Sequence, residues 1–301
     1  MSEPETMSVI CFGEILWDSL PRGLFPGGAP MNVAYHLKQL RAHPFPFTAV
    51  GRDLLGDELL RRLKAWGVDP SGVSVHPTKP TGLARVTVTE GSPHFEIMED
   101  VAWDWIELSA DGLACALQCH AMVFGSLAQR AENNRRQLAT LLKLCPRALK
   151  VFDVNLRPPY DSAENVWALA RQADLVKLND QELSRLLNEP VAPADVAEAV
   201  RHFAKRAGVA KVCLTAGPGG AGLLLEDEWH WESARPVQVR DTVGAGDAFL
   251  AALLFGLLQP SLPPAEILRR ACRLAEFVVT QDGATPAYGV AQRKWYGSTV
   301  V

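Results

Sequence analysis

Beyond residue 120 the chain alternates short apolar runs with longer mixed stretches. The runs 121–124, 150–153, 175–177 and 211–215 predict strands. The stretches 132–144, 163–173, 180–187 and 194–207 predict helices. This strand–helix rhythm implies a parallel sheet covered on both faces. Earlier in the chain, 9–12 and 47–50 read as strands, and 54–66 as a helix stopped by Gly67. Asn32 is expected to open a helix over 33–40. Residues 82–89 and 95–98 alternate like a hairpin, with Gly91-Ser92-Pro93 as its turn. Near the end, 237–240 predicts a strand. Residues 248–258 (AFLAALLFGLL) lack Pro and predict a buried helix, and 263–280 predicts another long helix. No internal repeat, low-complexity tract or interdomain linker is evident, so 1–301 reads as a single domain.

Composition narrows the classes. The chain has 301 residues, 48% hydrophobic and 21% charged, enough apolar material for a large core. A net charge of -4 leaves no basic footprint, so nucleic acid is not an expected partner. No apolar run approaches the roughly 20 residues of a membrane span, so no membrane is expected either. The acidic start MSEPETMSVICFGE lacks the basic region of a secretory signal. Six cysteines, at 11, 115, 119, 145, 213 and 272, form no C-x-x-C pair. A reducing cytoplasm is the expected compartment.

The chemistry concentrates between Asp241 and Phe249, DTVGAGDAF. Gly244 and Gly246 sit where the apolar helix should begin. A helix start carries unpaired N–H groups and partial positive charge, and glycines let an anion approach them closely. Asp247 would then lie beside a bound anion. It either complements the helix dipole or takes a proton from a hydroxyl attacking a phosphoryl group. Asn179-x-x-Glu182 reads as a capping box. Gly217 to Gly222 fits G-x-G-x-x-G, but LLLEDEWHW follows, a strand and hairpin rather than a helix, which excludes the dinucleotide reading. A Walker A sequence is absent.

DTVGAGDAF resembles the C-terminal signature of the ribokinase-like (PfkB) carbohydrate kinases, and GGAPMNVA (27–34) resembles their N-terminal one. The resemblance implies a three-layer α/β/α fold with a mostly parallel sheet. A small β-lid would come from about 14–29 and 82–106. It implies an anion hole at Gly244, Ala245 and Gly246, with Asp247 as catalytic base. Asp18, Gly27, Gly28 and Asn32 would line a sugar site. Thr215, Gly217 and Gly220 would hold ATP. Asn179 and Glu182 would organise magnesium and phosphates, Glu182 through water. Asp241 and the Val243 carbonyl are candidate ligands for potassium. Cys272 stands where some relatives have an Asn that contacts the nucleotide.

The opening CFGEILWDSLP, together with DVNLRPP, looks most like fructokinases. Kinases of 2-keto-3-deoxygluconate share much of the pattern. An acidic substrate would need a cation, with Arg157, Arg85 and Arg22 as candidates. A sugar-binding regulatory protein on the same fold is the non-enzyme alternative. Trp103 and Trp105 are either sugar-stacking or core residues. Ile15, Leu16, Trp17, Val86 and Val88 on the lid make a homodimer a candidate assembly.

Overall fold

The computed structural model describes residues 7–20, 23–89, 92–259 and 261–292. The amino-terminal part runs β1 (Ser8–Phe12), β2 (Leu16–Leu20), β3 (Gly23–Gly27), α1 (Ala29–Gln39), β4 (His43–Gly51), α2 (Leu54–Ala65), β5 (Val73–His76), β6 (Gly82–Thr89) and β7 (Ser92–Ile97). The middle runs α3 (Ala110–Ala116), β8 (Ala121–Gly125), α4 (Glu132–Leu144), β9 (Leu149–Asp153), α5 (Ala163–Ala170), β10 (Leu175–Asn179), α6 (Asp180–Leu187) and α7 (Val196–Ala207). The last part runs β11 (Lys211–Thr215), β12 (Ala221–Leu225), β13 (Glu228–Glu232), α8 (Ala245–Leu257) and α9 (Pro264–Val279).

Val9 and Cys11 of β1 face a core built with α1, α8 and α9, while Ile10 and Phe12 face a second core built with α4, α5, α6 and α7. A strand buried on both faces carries apolar side chains at every position, which is why these runs are continuous rather than alternating. Among the described residues the large sheet has the order β13-β12-β11-β10-β9-β8-β1-β4-β5. It is parallel from β11 to β5, and β12 and β13 add an antiparallel hairpin at one edge. The hairpin turns at Glu226 and Asp227, both at positive φ (52° and 66°), as a tight two-residue loop requires. Helix α8 is buried nearly all round, between α1 and α9, as its uniformly apolar sequence demands.

A separate small sheet has the order β3-β2-β6-β7. Its outer pairs are antiparallel and its central pair, β2 with β6, is parallel. It springs from the segment after β1, within the ranges expected to form a lid.

Four expectations need correction. Residues 237–240 form no strand: no described strand pairs with them, and the N–H groups of Arg240 and Asp241 instead donate to the Val279 carbonyl at the end of α9 (2.8 and 3.2 Å). Helix α8 starts three residues before 248, because Gly244 at φ 77° caps it. Helix α1 starts at Ala29 with Pro30 in its first turn, so Asn32 lies inside the helix and does not cap it. Ser92 and Pro93 belong to β7, paired with Thr89 and Val88, not to the hairpin turn; residues 90–91 lie outside the described residues.

Candidate active site

The C-terminal ends of β1, β9, β10 and β11 and the N-terminus of α8 meet beneath the small sheet. There they enclose a cavity of about 490 Å³. Asp247, in the first turn of α8, is 9% exposed. Its Oδ2 accepts a hydrogen bond from Asn32 Nδ2 at 2.8 Å. Burial, then the nearby Asp153 charge, pushes its carboxyl up to about 6, partly offset by the Asn32 bond, Lys177 and Arg157. Gly244 has no room for a side chain: a Cβ there would run into Ala284.

Other carboxyls share the cavity. Asp18, on β2, is pushed up to about 6 by burial; Arg157 opposes this, and Asp247 and Asp241 add to it. Its carboxylate packs where a Cβ on Gly27 would stand, so a side chain at 27 would displace it. Glu14, just past β1, is pushed up to about 7 by burial, against the N–H groups that bond it. Gly28, Asn32 and Arg157 also line the cavity. Arg85 is exposed and does not, and Arg22 lies outside the described residues.

Lys177 escaped the sequence reading. It is a charged residue in an otherwise apolar buried strand, and that mismatch was the available signal. Its Nζ pairs with Asp153 Oδ1 at 2.9 Å, both groups buried. It stands 3.2 Å from where a Cβ on Gly246 would be, directly beneath the start of α8. Burial would lower its pKa, but Asp153, Glu182 and Asp247 outweigh this and raise it.

Asn179 and Glu182 form the expected capping box, with Asn179 Oδ1 accepting from Glu182 N and Glu182 Oε2 accepting from Asn179 N, both at 2.8 Å. Glu182 Oε1 accepts the Leu156 N–H at 2.8 Å, so this buried carboxylate clasps two loops. Asn179 lines the cavity and Glu182 stands behind it. Asp241 joins the signature turn to the C-terminal turn, accepting from Val243 N (3.0 Å) and Gly283 N (3.1 Å). Val243 lines the cavity.

A second cleft, of about 610 Å³, adjoins the first and shares Thr215, Gly217, Thr242 and Gly246 with it. Gly220 lines it, as do apolar Val237, Val239, Phe249, Ala275 and Val279, with Cys272 among them. Trp103 and Trp105 line neither. Trp103 is fully buried beneath the Arg130 guanidinium (4.0 Å), and Trp105 is 43% exposed beside Asp100.

A large mostly parallel sheet, a small covering sheet and a helix start between two adjoining clefts define a ribokinase-like α/β fold. Residues 22–288 match the family described as pfkB family carbohydrate kinase, and the chain belongs to that family. It is 29% identical over 270 residues to the fructokinase of Rhizobium leguminosarum bv. trifolii, covering 84% of this chain and 81% of the relative. The fructokinase of Vibrio cholerae O395, solved in a fructose-, ADP- and calcium-bound form, superposes with a TM-score of 0.78 at 25% identity, covering 94% of this chain and 96% of that one. A sugar kinase from Pyrococcus horikoshii in complex with ATP gives 0.79 at 26%, covering 93% and 94%.

Proposed function

We propose that the protein transfers the γ-phosphoryl group of ATP to a hydroxyl of fructose, with Asp247 as the base. The observation that carries this reading is the position of Asp247. Its buried carboxylate stands on a helix start where the two clefts meet, held by Asn32. The sugar occupies the cavity under the small sheet, bounded by Asp18, Gly28, Asn32 and Arg157, with Gly27 packed against Asp18. ATP lies in the second cleft, with Thr215, Gly217 and Gly220 at its phosphates and the apolar wall against its base. The sugar hydroxyl attacks the γ-phosphorus and gives its proton to Asp247. The bond from that phosphorus to the bridging oxygen breaks, and ADP leaves. N–H groups of the Gly244, Ala245 and Gly246 turn hold the equatorial oxygens, and Lys177 adds a fixed positive charge behind them.

Magnesium suits the oxygen donors at this end: Asn179 and Asp180 line the cavity, hard ligands of the type it takes. When bound it neutralises phosphate charge; Glu182 acts through water and through Asn179. Asp241 and the Val243 carbonyl serve a potassium ion beside the same turn. The small sheet is the lid, and a homodimer forms through it.

The names of the relatives support fructose. The second reading, 2-keto-3-deoxygluconate, is favoured by one observation, the Arg157 guanidinium in the cavity wall. A binding protein without catalysis would have no use for a base held in this geometry. ADP formation with fructose, 2-keto-3-deoxygluconate, ribose and fructose phosphates, with and without potassium, tests the reading. Asp247→Asn should keep sugar and ATP binding and lower turnover by about 10²–10⁴. Near-normal turnover would remove Asp247 as the base.

A further inference from the structure

Unpaired buried acceptors gather at one wall of the 490 Å³ cavity. Among the described residues, five buried side-chain oxygens have no hydrogen-bond partner; Glu14 Oε2, Asn32 Oδ1 and Asp153 Oδ2 belong to this wall, and Thr48 Oγ1 and Gln129 Oε1 lie away from it. Glu14 and Asn32 line the cavity itself. Glu14 and Asp153 line a side chamber of about 10 Å³, which shares Ala29, Leu127 and Asn155 with the cavity. That is the room one hydroxyl-sized group needs. The Glu14 carboxyl is 3% exposed and anchored at one end only, with Oε1 accepting the Ala29 N–H at 3.2 Å. Buried polar atoms are paired in nearly all native structures, so a cluster left unpaired at a cavity wall marks where a ligand makes its bonds.

Asn32 Oδ1 can only accept, while Glu14, pushed up to about 7, accepts when ionised and donates when protonated, so the matching ligand carries hydroxyls, which do both. Hydroxyls donate; ionised carboxylates and phosphates do not. Charge favours the same class. Glu14, Asp18, Asp180 and Asp247 line the cavity against Arg157 and Lys177, and Lys177 is already paired with Asp153. We propose that Glu14 contacts the substrate directly and selects a neutral, hydroxyl-bearing sugar over its carboxylate or phosphate counterparts. This rests on the sugar-kinase reading above and names the substrate class of that site.

Glu14→Gln tests it. The glutamine keeps an oxygen for the Ala29 N–H and replaces the free acceptor with a donor. Steady-state kinetics with fructose and with 2-keto-3-deoxygluconate are compared for wild type and variant, together with the KM for ATP and calorimetric fructose binding in the absence of nucleotide. The variant is expected to weaken fructose binding about 10–100-fold, to leave the ATP KM within about twofold, and to narrow the preference for fructose over the keto-acid. An unchanged fructose KM overturns the proposal. So does a parallel rise in the fructose and ATP KM values, which marks a folding role. A wild-type preference for the keto-acid overturns it and leaves the kinase standing. Fructose binding that Glu14→Gln weakens, in a protein that forms no ADP with any sugar, removes the kinase and upholds Glu14. A wild type that binds no neutral sugar overturns both.

Discussion

As the proposed base, Asp247 has to be ionised to accept a proton, yet burial favours its neutral form. The two demands meet near its pKa of about 6. Below that value the carboxyl is protonated and cannot serve as base, so kcat should fall about tenfold per pH unit on the acid side and level off above neutrality. Asp18, pushed up to about 6, and Glu14, pushed up to about 7, titrate in the same cavity; Lys177 and Arg157 face it as well, and Asp153 lines the adjoining side chamber. The limb is therefore assigned through Asn32, whose side-chain donor stabilises the ionised form of Asp247. Asn32→Ala removes that donor, so the acid limb of kcat should move to higher pH. A limb that stays in place assigns the titration to Asp18 or Glu14.

Helix α1 carries more than Asn32. One turn further on, His36 is fully buried, and burial pushes its pKa down to about 4, so it is neutral at working pH. A carbonyl can only accept, so His36 Nε2 donates to the Ala284 carbonyl (2.9 Å), and Nδ1 accepts from the Tyr288 hydroxyl (2.8 Å). Ala284 in turn packs against Gly244. The helix thus holds Asp247 at one turn and the glycine turn at the next. His36→Leu removes one hydrogen bond from the buried Ala284 carbonyl and one from the Tyr288 hydroxyl. It should cost about 2–4 kcal/mol of unfolding free energy by urea titration and reduce turnover with it; a loss below about 1 kcal/mol would show that the turn is held elsewhere.

None of this was legible in the sequence, because α1 reads only as a helix after a glycine turn, and its partners lie more than two hundred residues away. The strong helices α4 and α6 were legible to the residue, and the continuous apolar strands in place but not in extent, β4 starting four residues before 47, since burial on two faces and a capping box leave clear marks. Residues 237–240 were misread because β-branched residues fit a strand, yet a strand also needs a neighbour. Val239 is instead 59% exposed at the rim of the second cleft. Short β5 and α3 went unread, one only four residues long and the other carrying a glycine in a seven-residue helix.

At the scale of the whole molecule, phosphoryl transfer needs two ligands brought together and water kept out. The large sheet places both clefts along its C-terminal edge, and α8 starts at their junction. The small sheet covers one cleft only and ends in edge strands, β3 and β7, without partners among the described residues. An unpaired edge is a site where another chain can add. Leu24 on β3 is 46% exposed, a large apolar side chain at that edge. Pairing of two lids would cover it and stiffen the roof over each sugar. Light scattering should then give twice the 32.8 kDa of one chain. Leu24→Lys, which places a charge on the edge, should return the monomer with a raised KM for sugar and an unchanged KM for ATP. A monomeric wild type with full activity would show that one lid, held by β1 and α1 alone, closes the site.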